Sequence, residues 1–268
     1  MRFHAYRSRA LRIVGPPNHA TSARPRPQRI SDASSYLVTA MSAPHYCRPE
    51  AYHLFAGSLP ELKTTSGLIQ AAMSLSLHAL DDLDPAFVND RLNELAQRVT
   101  TRARPDRPEA LLAHLHRVLF DEEQFGGDNA VYSNPLSSYL PAVLETHRGI
   151  PITLALIYKA VAERVGLEVD GINLPGHFLV RVRDSRGWLL VDPFHRGRML
   201  TMDEAYYLAD QIFQCRIDRR YDLTTPATHL QWVERMLLNL KSNFQRRGCN
   251  DDLAAMTEFE SLLSTTAF

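Results

Sequence analysis

The sequence predicts an α+β fold, and three observations carry that prediction. Ile152 to Val165 is apolar on most sides and has no internal Gly or Pro, which reads as a buried helix. Three short runs follow: Glu168 to Asn173, Phe178 to Arg183 and Trp188 to Val191. They are separated by Pro175-Gly176 and by Asp184-Ser-Arg-Gly187, so they read as strands of a small antiparallel sheet. On both sides of this core the periodicity is helical only. The expected architecture is a helical N-terminal block, a core of one buried helix on a small sheet, and a C-terminal helical hairpin. The expected segments are residues 1–45, 46–220 and 221–268.

Residues 1–45 are rich in Arg, Pro and Ser, and residues 1–40 hold seven Arg against one acidic residue, Asp32. The stretch Ala23-Arg-Pro-Arg-Pro-Gln28 fits neither a helix interior nor a ladder. A solvated tail is expected, or an upstream extension with the natural start at Met41. From Pro49 to about Val118 the chain reads as helices. Leu68, Ala71, Ala72, Leu75 and Ala79 form one stripe. Asp84-Pro85 starts the next helix as N-cap and first residue, and Pro108-Glu109 starts a third. Gln124-Phe-Gly-Gly-Asp-Asn129 interrupts this pattern, and Tyr139 to Glu145 is a short helix.

Pro151 suits the first position of the buried helix, where its missing N–H has no partner to lose. Gly166 suits the left-handed residue that ends it. After the strands, His195-Arg-Gly-Arg198 reads as a basic turn. Thr201-Met-Asp-Glu204 has capping-box spacing and opens a helix to Phe213. Arg216 to Pro226 is polar and linker-like. Leu230, Val233, Leu237, Leu240 and Phe244 recur at three or four in a helix from Thr228 to Arg247, and Asp251 to Leu263 is its partner.

Chemistry concentrates at the hairpin. His177 opens its first strand and Asp192 closes its second, so the two side chains are expected to be neighbours. A carboxylate beside an imidazole fixes its tautomer and raises its basicity, as in the lower two members of a nucleophile–His–Asp triad. The start of a helix packed on that hairpin is where a nucleophile would be activated.

Arg148-Gly-Ile-Pro-Ile-Thr, Leu174-Pro-Gly-His-Phe-Leu-Val-Arg181 and Val191-Asp-Pro-Phe194 resemble the SirB-type branch of the transglutaminase-like superfamily. The resemblance runs from about Leu68 to about Leu263. It implies a core with a Cys at the head of the buried helix, a His at the start of a strand and an Asp at the end of the next. In this chain, as in that branch, the Cys is missing: its position falls at or near Pro151. The resemblance also implies a tetratricopeptide-like C-terminal hairpin, and the family name is tied to bacterial gene regulation.

Two functions follow as expectations. The leading one is a degenerate, non-enzymatic member that binds a protein partner. The alternative is a hydrolase or acyl transferase on amides or esters, with Thr153 as nucleophile, His177 as base and Asp192 as its orienter. Asn134 and Ser138 are candidates for capping or for lining the cleft, and His195 for receiving an anionic group at its mouth. No cofactor is expected. His177, Asp192 and His195 have suitable atoms for a metal, but their spacing matches no zinc signature, so no metal is expected.

Composition excludes other classes. The net charge is +0, which removes a global electrostatic case for nucleic acid. No apolar run approaches membrane-span length, so no membrane role is expected. Three scattered cysteines, Cys47, Cys215 and Cys249, suit reduced thiols in a cytoplasmic protein. Cys47 precedes a helix start and is a weaker candidate for the missing thiol.

Overall fold

The computed structural model describes residues 43–265 except Asp82, Pro105, Arg220 and Tyr221. The tail expected over 1–45 therefore lies outside the described residues apart from its last three. Among the described residues the order is α1 (Pro49–Ser58), α2 (Thr65–Ala79), α3 (Pro85–Thr100), α4 (Pro108–His116), α5 (Leu140–Thr146) and α6 (Pro151–Arg164), then β1 (Val169–Ile172), β2 (Leu179–Asp184), β3 (Gly187–Asp192) and β4 (Arg198–Leu200), then α7 (Met202–Phe213), α8 (His229–Arg247) and α9 (Asn250–Thr265). The fold is α+β, as expected.

The helix starts follow the chemistry of their first residues. The Asp84 carboxylate accepts the Ala86 N–H at the head of α3. Thr201 and Glu204 form the full capping box of α7, and Thr228 with Gln231 forms a second at α8. Gly166 takes φ +90 just beyond α6 and lets the chain turn directly toward β1. α4 runs on into a π-helical segment, Arg117–Glu122.

The sheet is antiparallel throughout, in the order β1-β2-β3-β4. β4 is an addition to the three expected strands. It pairs Leu190 with Leu200 and Asp192 with Arg198, inside what reads in sequence as a turn leading to a helix. β2 begins at Leu179, so His177 sits two residues before the strand it was expected to open.

Alternation along the strands loads both faces of the sheet. Val169, Val180, Val182 and Val191 join the main core, which includes nearly all of α6. Ile172, Leu179 and Leu190 face the other way and form a second cluster with Ala205 of α7 and Leu223. Buried Lys159 ties helix to sheet: its ammonium donates to the Val169 carbonyl at 2.6 Å and pairs with Glu163. A buried ammonium is tolerable only with such partners.

α8 and α9 contribute to the main core too. Trp232 of α8 is fully buried and packs on Phe178, with ring centroids 4.4 Å apart. A Cβ on Gly171 of β1 would lie 2.2 Å from the Trp232 ring, so glycine is what admits α8 to the sheet. This close approach makes α8 a neighbour of the His177 segment.

Candidate functional site

The site lies where α6, the β2–β3 hairpin and α8 meet. Pro175-Gly176 turns the chain after β1, with Gly176 at φ +73 and the His177 N–H donating to the Leu174 carbonyl at 3.1 Å. The β2–β3 register pairs Val180 with Val191. Continued by one step it sets Leu179 opposite Asp192, with His177 on the same face one diagonal further, within reach of a long side chain.

The two side chains meet there. His177 Nε2 lies 2.9 Å from Asp192 Oδ2, and the residues are 4% and 1% exposed. The second oxygen, Oδ1, accepts the backbone N–H groups of Phe194 (3.0 Å) and His195 (3.2 Å). His195 Nδ1 reaches Oδ2 at 2.7 Å, although half of its side chain is exposed. Asp192 thus sits between two imidazoles and two backbone donors. Burial pushes its pKa up, but the hydrogen bonds from His177 and His195 outweigh burial and hold it well below the ordinary carboxylate value. An ionised Asp192 needs a donor at His177 Nε2, a demand met by the imidazolium and by the Nε2–H tautomer alike.

A cleft of about 240 Å³ opens at His177. Ile150, Pro151 and Ile152 at the head of α6 form one wall, Val131 and Tyr132 another, and one face of α8 a third. Pro151 therefore shares the cleft with His177, at the helix start where a nucleophile would be activated, and proline offers no nucleophilic atom.

Thr153 is placed elsewhere. It is 2% exposed, it is not among the cleft-lining residues, and its hydroxyl donates to the Ser138 carbonyl at 3.2 Å. Asn134 caps the short turn of 3₁₀ helix at Pro135–Ser138, its Oδ1 accepting the Leu136 N–H at 3.1 Å. Ser138 lines the cleft. Cys47 is buried against α9: its thiol donates to the Ala255 carbonyl at 3.1 Å. Burial, and then the Glu258 carboxylate, push that thiol far above the ordinary value, the reverse of an activated cysteine.

His177, Asp192 and His195 bring ligand-type atoms within 4.8 Å of one another, the set a divalent cation would use. As placed, their 2.9 and 2.7 Å separations are those of N–H···O hydrogen bonds onto one oxygen. A cation would have to displace both protons.

The α8 wall is the part that the sequence reading did not assign. Arg235, Asn239, Ser242, Asn243 and Arg246 all line the cleft. Their spacing of three and four on one helix face is visible in the sequence, but a polar face usually meets water.

His195 supplies a pH test. Its hydrogen bond to Asp192 raises its pKa above the ordinary imidazole value, against burial, which lowers it. The stabilisation it contributes is present in full below the unfolded value of about 6.5 and is lost as pH rises through the folded value. Denaturant midpoints of wild type and His195→Gln should differ most near pH 6 and converge toward pH 9. A gap that widens with pH would contradict the assignment.

Comparison with known proteins gives the family. Residues 86–238 match the transglutaminase-like superfamily. A UPF0162 protein of Xylella fastidiosa (strain Temecula1) is 38% identical over 134 residues, which cover 49% of this chain and 48% of that protein. A UPF0162 protein of Pseudomonas aeruginosa is 31% identical over 138 residues, 51% of this chain and 50% of its own. Human F-box only protein 21 is 28% identical over 229 residues, 82% of this chain but 34% of that protein. The chain thus spans about half the length of the UPF0162 relatives and a third of the F-box one. No solved structure matches. No helix among the described residues is long and apolar enough to cross a membrane. The matched span takes in the head of α6, His177 and Asp192 alike, and the chain belongs to the transglutaminase-like superfamily.

Proposed function

We propose that this chain is a degenerate, SirB-type member of the superfamily, one that binds a segment of a protein partner in the former catalytic cleft without turning it over. The observation that carries the reading is Pro151 at the head of α6, in the cleft beside His177. The thiol is gone, while the base and its carboxylate are held in full hydrogen-bonding order. The likeness to a third of F-box only protein 21 fits a module that can be carried inside a longer chain. In this reading α8 and α9 are a tetratricopeptide-like hairpin, and a single such unit needs a surface to pack on; here that surface is the domain itself.

The hydrolase alternative asks Thr153 to attack a substrate, yet its hydroxyl is committed to the Ser138 carbonyl. A hydroxyl-directed β-lactone probe should therefore leave Thr153 unlabelled in the wild-type protein. Labelling of Thr153 that His177→Ala abolishes would sink the non-enzymatic reading.

The cleft can also be asked where its nucleophile once stood. Pro151→Cys places a thiol at a helix start beside His177, both of which lower thiol pKa. It should alkylate with iodoacetamide at pH 7 about tenfold faster than a free cysteine, and adding His177→Ala should remove most of the gain. Equal rates with and without His177 would detach position 151 from the His177–Asp192 pair.

A further inference from the structure

The polar face of α8 has a charge pattern that His177 and Asp192 do not explain. Fourteen of the described residues line the cleft, and none of these is Asp or Glu. Two of them are arginines, and neither forms an ion pair with a carboxylate among the described residues. Arg235 is partly buried, which is costly for an unpaired guanidinium, and the one hydrogen bond it makes among the described residues is to Asn173 Oδ1 at 3.5 Å. Burial pulls its pKa down. Arg246 reaches the Tyr132 carbonyl at 3.4 Å, and the charge of Arg235 acts on the Tyr132 hydroxyl. Both arginines thus share the cleft with Tyr132. The cleft also receives the N-terminal end of α6, a fourteen-residue helix whose dipole favours negative charge there.

Between the arginines the wall is made of amides and a hydroxyl. Asn239 and Ser242 follow Arg235 at steps of four and three, and Arg246 follows at four, so all lie on one face of α8. Among the described residues Asn243, 6% exposed, makes one long hydrogen bond, from Nδ2 to the Tyr132 carbonyl, and its buried Oδ1 has no donor. Asn239, Ser242 and Asn243 give this wall polar groups of the kind that pair with a peptide backbone. Eleven helical steps, about 16 Å, separate Arg235 from Arg246, the length of about five extended residues.

Resting on the reading of this cleft as a protein-binding site, we infer that its occupant is an acidic peptide segment: an extended stretch whose carboxylate pairs with Arg235, whose amides meet the Asn239–Asn243 wall, and which ends near Arg246. The guanidinium fork suits a carboxylate, and charge-assisted bonds of this kind are the strong ones in a partly dry site.

The test uses the whole chain and two hexapeptide mixtures that differ at one fixed position, Glu in one and Gln in the other. Binding is read from the NMR signals of the Arg235 and Arg246 Nε–H groups. The Glu mixture should shift both signals and bind about tenfold more tightly than the Gln mixture. Arg235→Gln should erase that preference while keeping the wild-type unfolding midpoint, and Arg246→Gln serves as a second variant should Arg235→Gln fail to fold. Equal binding of both mixtures would overturn the carboxylate assignment and leave the peptide-binding reading standing. No shift with either mixture would overturn both. Inorganic phosphate in place of peptide, shifting Arg235 as strongly as the Glu mixture does, would also overturn the assignment, since the amide wall would then play no part.

Discussion

Asp192→Ala is expected to cost about 3–5 kcal/mol of stability, the usual range when one partner of a buried charged pair is removed. The side chain is 1% exposed and accepts from four donors: His177, His195 and the backbone N–H groups of Phe194 and His195. Removing the acceptor strands the His177 ring, itself 4% exposed, and frees the turn that returns the chain to β4. The pH dependence has a definite sign. The folded pKa of Asp192 lies below the unfolded value of about 3.9, so its contribution is present above that value and is lost as pH falls through the folded value. Urea midpoints of wild type and Asp192→Ala should therefore lie far apart at pH 6 and draw together as pH falls below about 4. Asp192→Asn should cost less, because the amide keeps one acceptor for the backbone donors. An Asp192→Ala midpoint equal to wild type at pH 6 would remove the pair from the fold's support.

The approach of His177 to Asp192 was legible in the sequence because it depends on local signals. Pro175-Gly176 and Asp184 to Gly187 delimit two strands, and a hairpin brings the start of one to the end of the other. The helix starts at Asp84 and Thr201 were legible for the same reason, since capping is written within three residues. β4 was not, because three residues carry no period and Arg198-Met-Leu200 earns its strand only from its pairing with β3. The direction of the Thr153 hydroxyl was not legible either. Periodicity places a residue on a turn of helix, but the Ser138 carbonyl that receives the hydroxyl arrives from another segment. The same holds for His195, whose tie to Asp192 depends on a turn that pairing with β4 completes. Arg235 to Arg246 expose the general limit. Amphipathicity names the face that is not core, and only tertiary contact shows whether water or a cleft lies against it.

Trp232 decides whether that cleft has its third wall. Its ring is fully buried, stacked at an angle on Phe178 and seated over Gly171. Trp232→Ala should cost about 3–5 kcal/mol, the range for emptying a large aromatic site in a core. Gly171→Ala attacks the same contact from the sheet. Gly171 does not need a positive φ, so alanine suits its backbone, and the penalty comes from the Cβ meeting the Trp232 ring. Overpacking of this kind costs about 1–3 kcal/mol. Because the two changes act on one contact, they should not add: a smaller ring at position 232 should relieve part of the Gly171→Ala penalty. Chemical denaturation of Gly171→Ala, Trp232→Phe and the double variant measures that coupling, and strict additivity would show that α8 is not seated through this pair. Phe178 is the neighbour of His177, so displacing Trp232 also moves the α8 face that carries Arg235 away from the imidazole. Gly171→Ala should then weaken binding of the Glu peptide mixture even at temperatures where the chain stays folded, tying the seat of one helix in the core to the chemistry of the cleft.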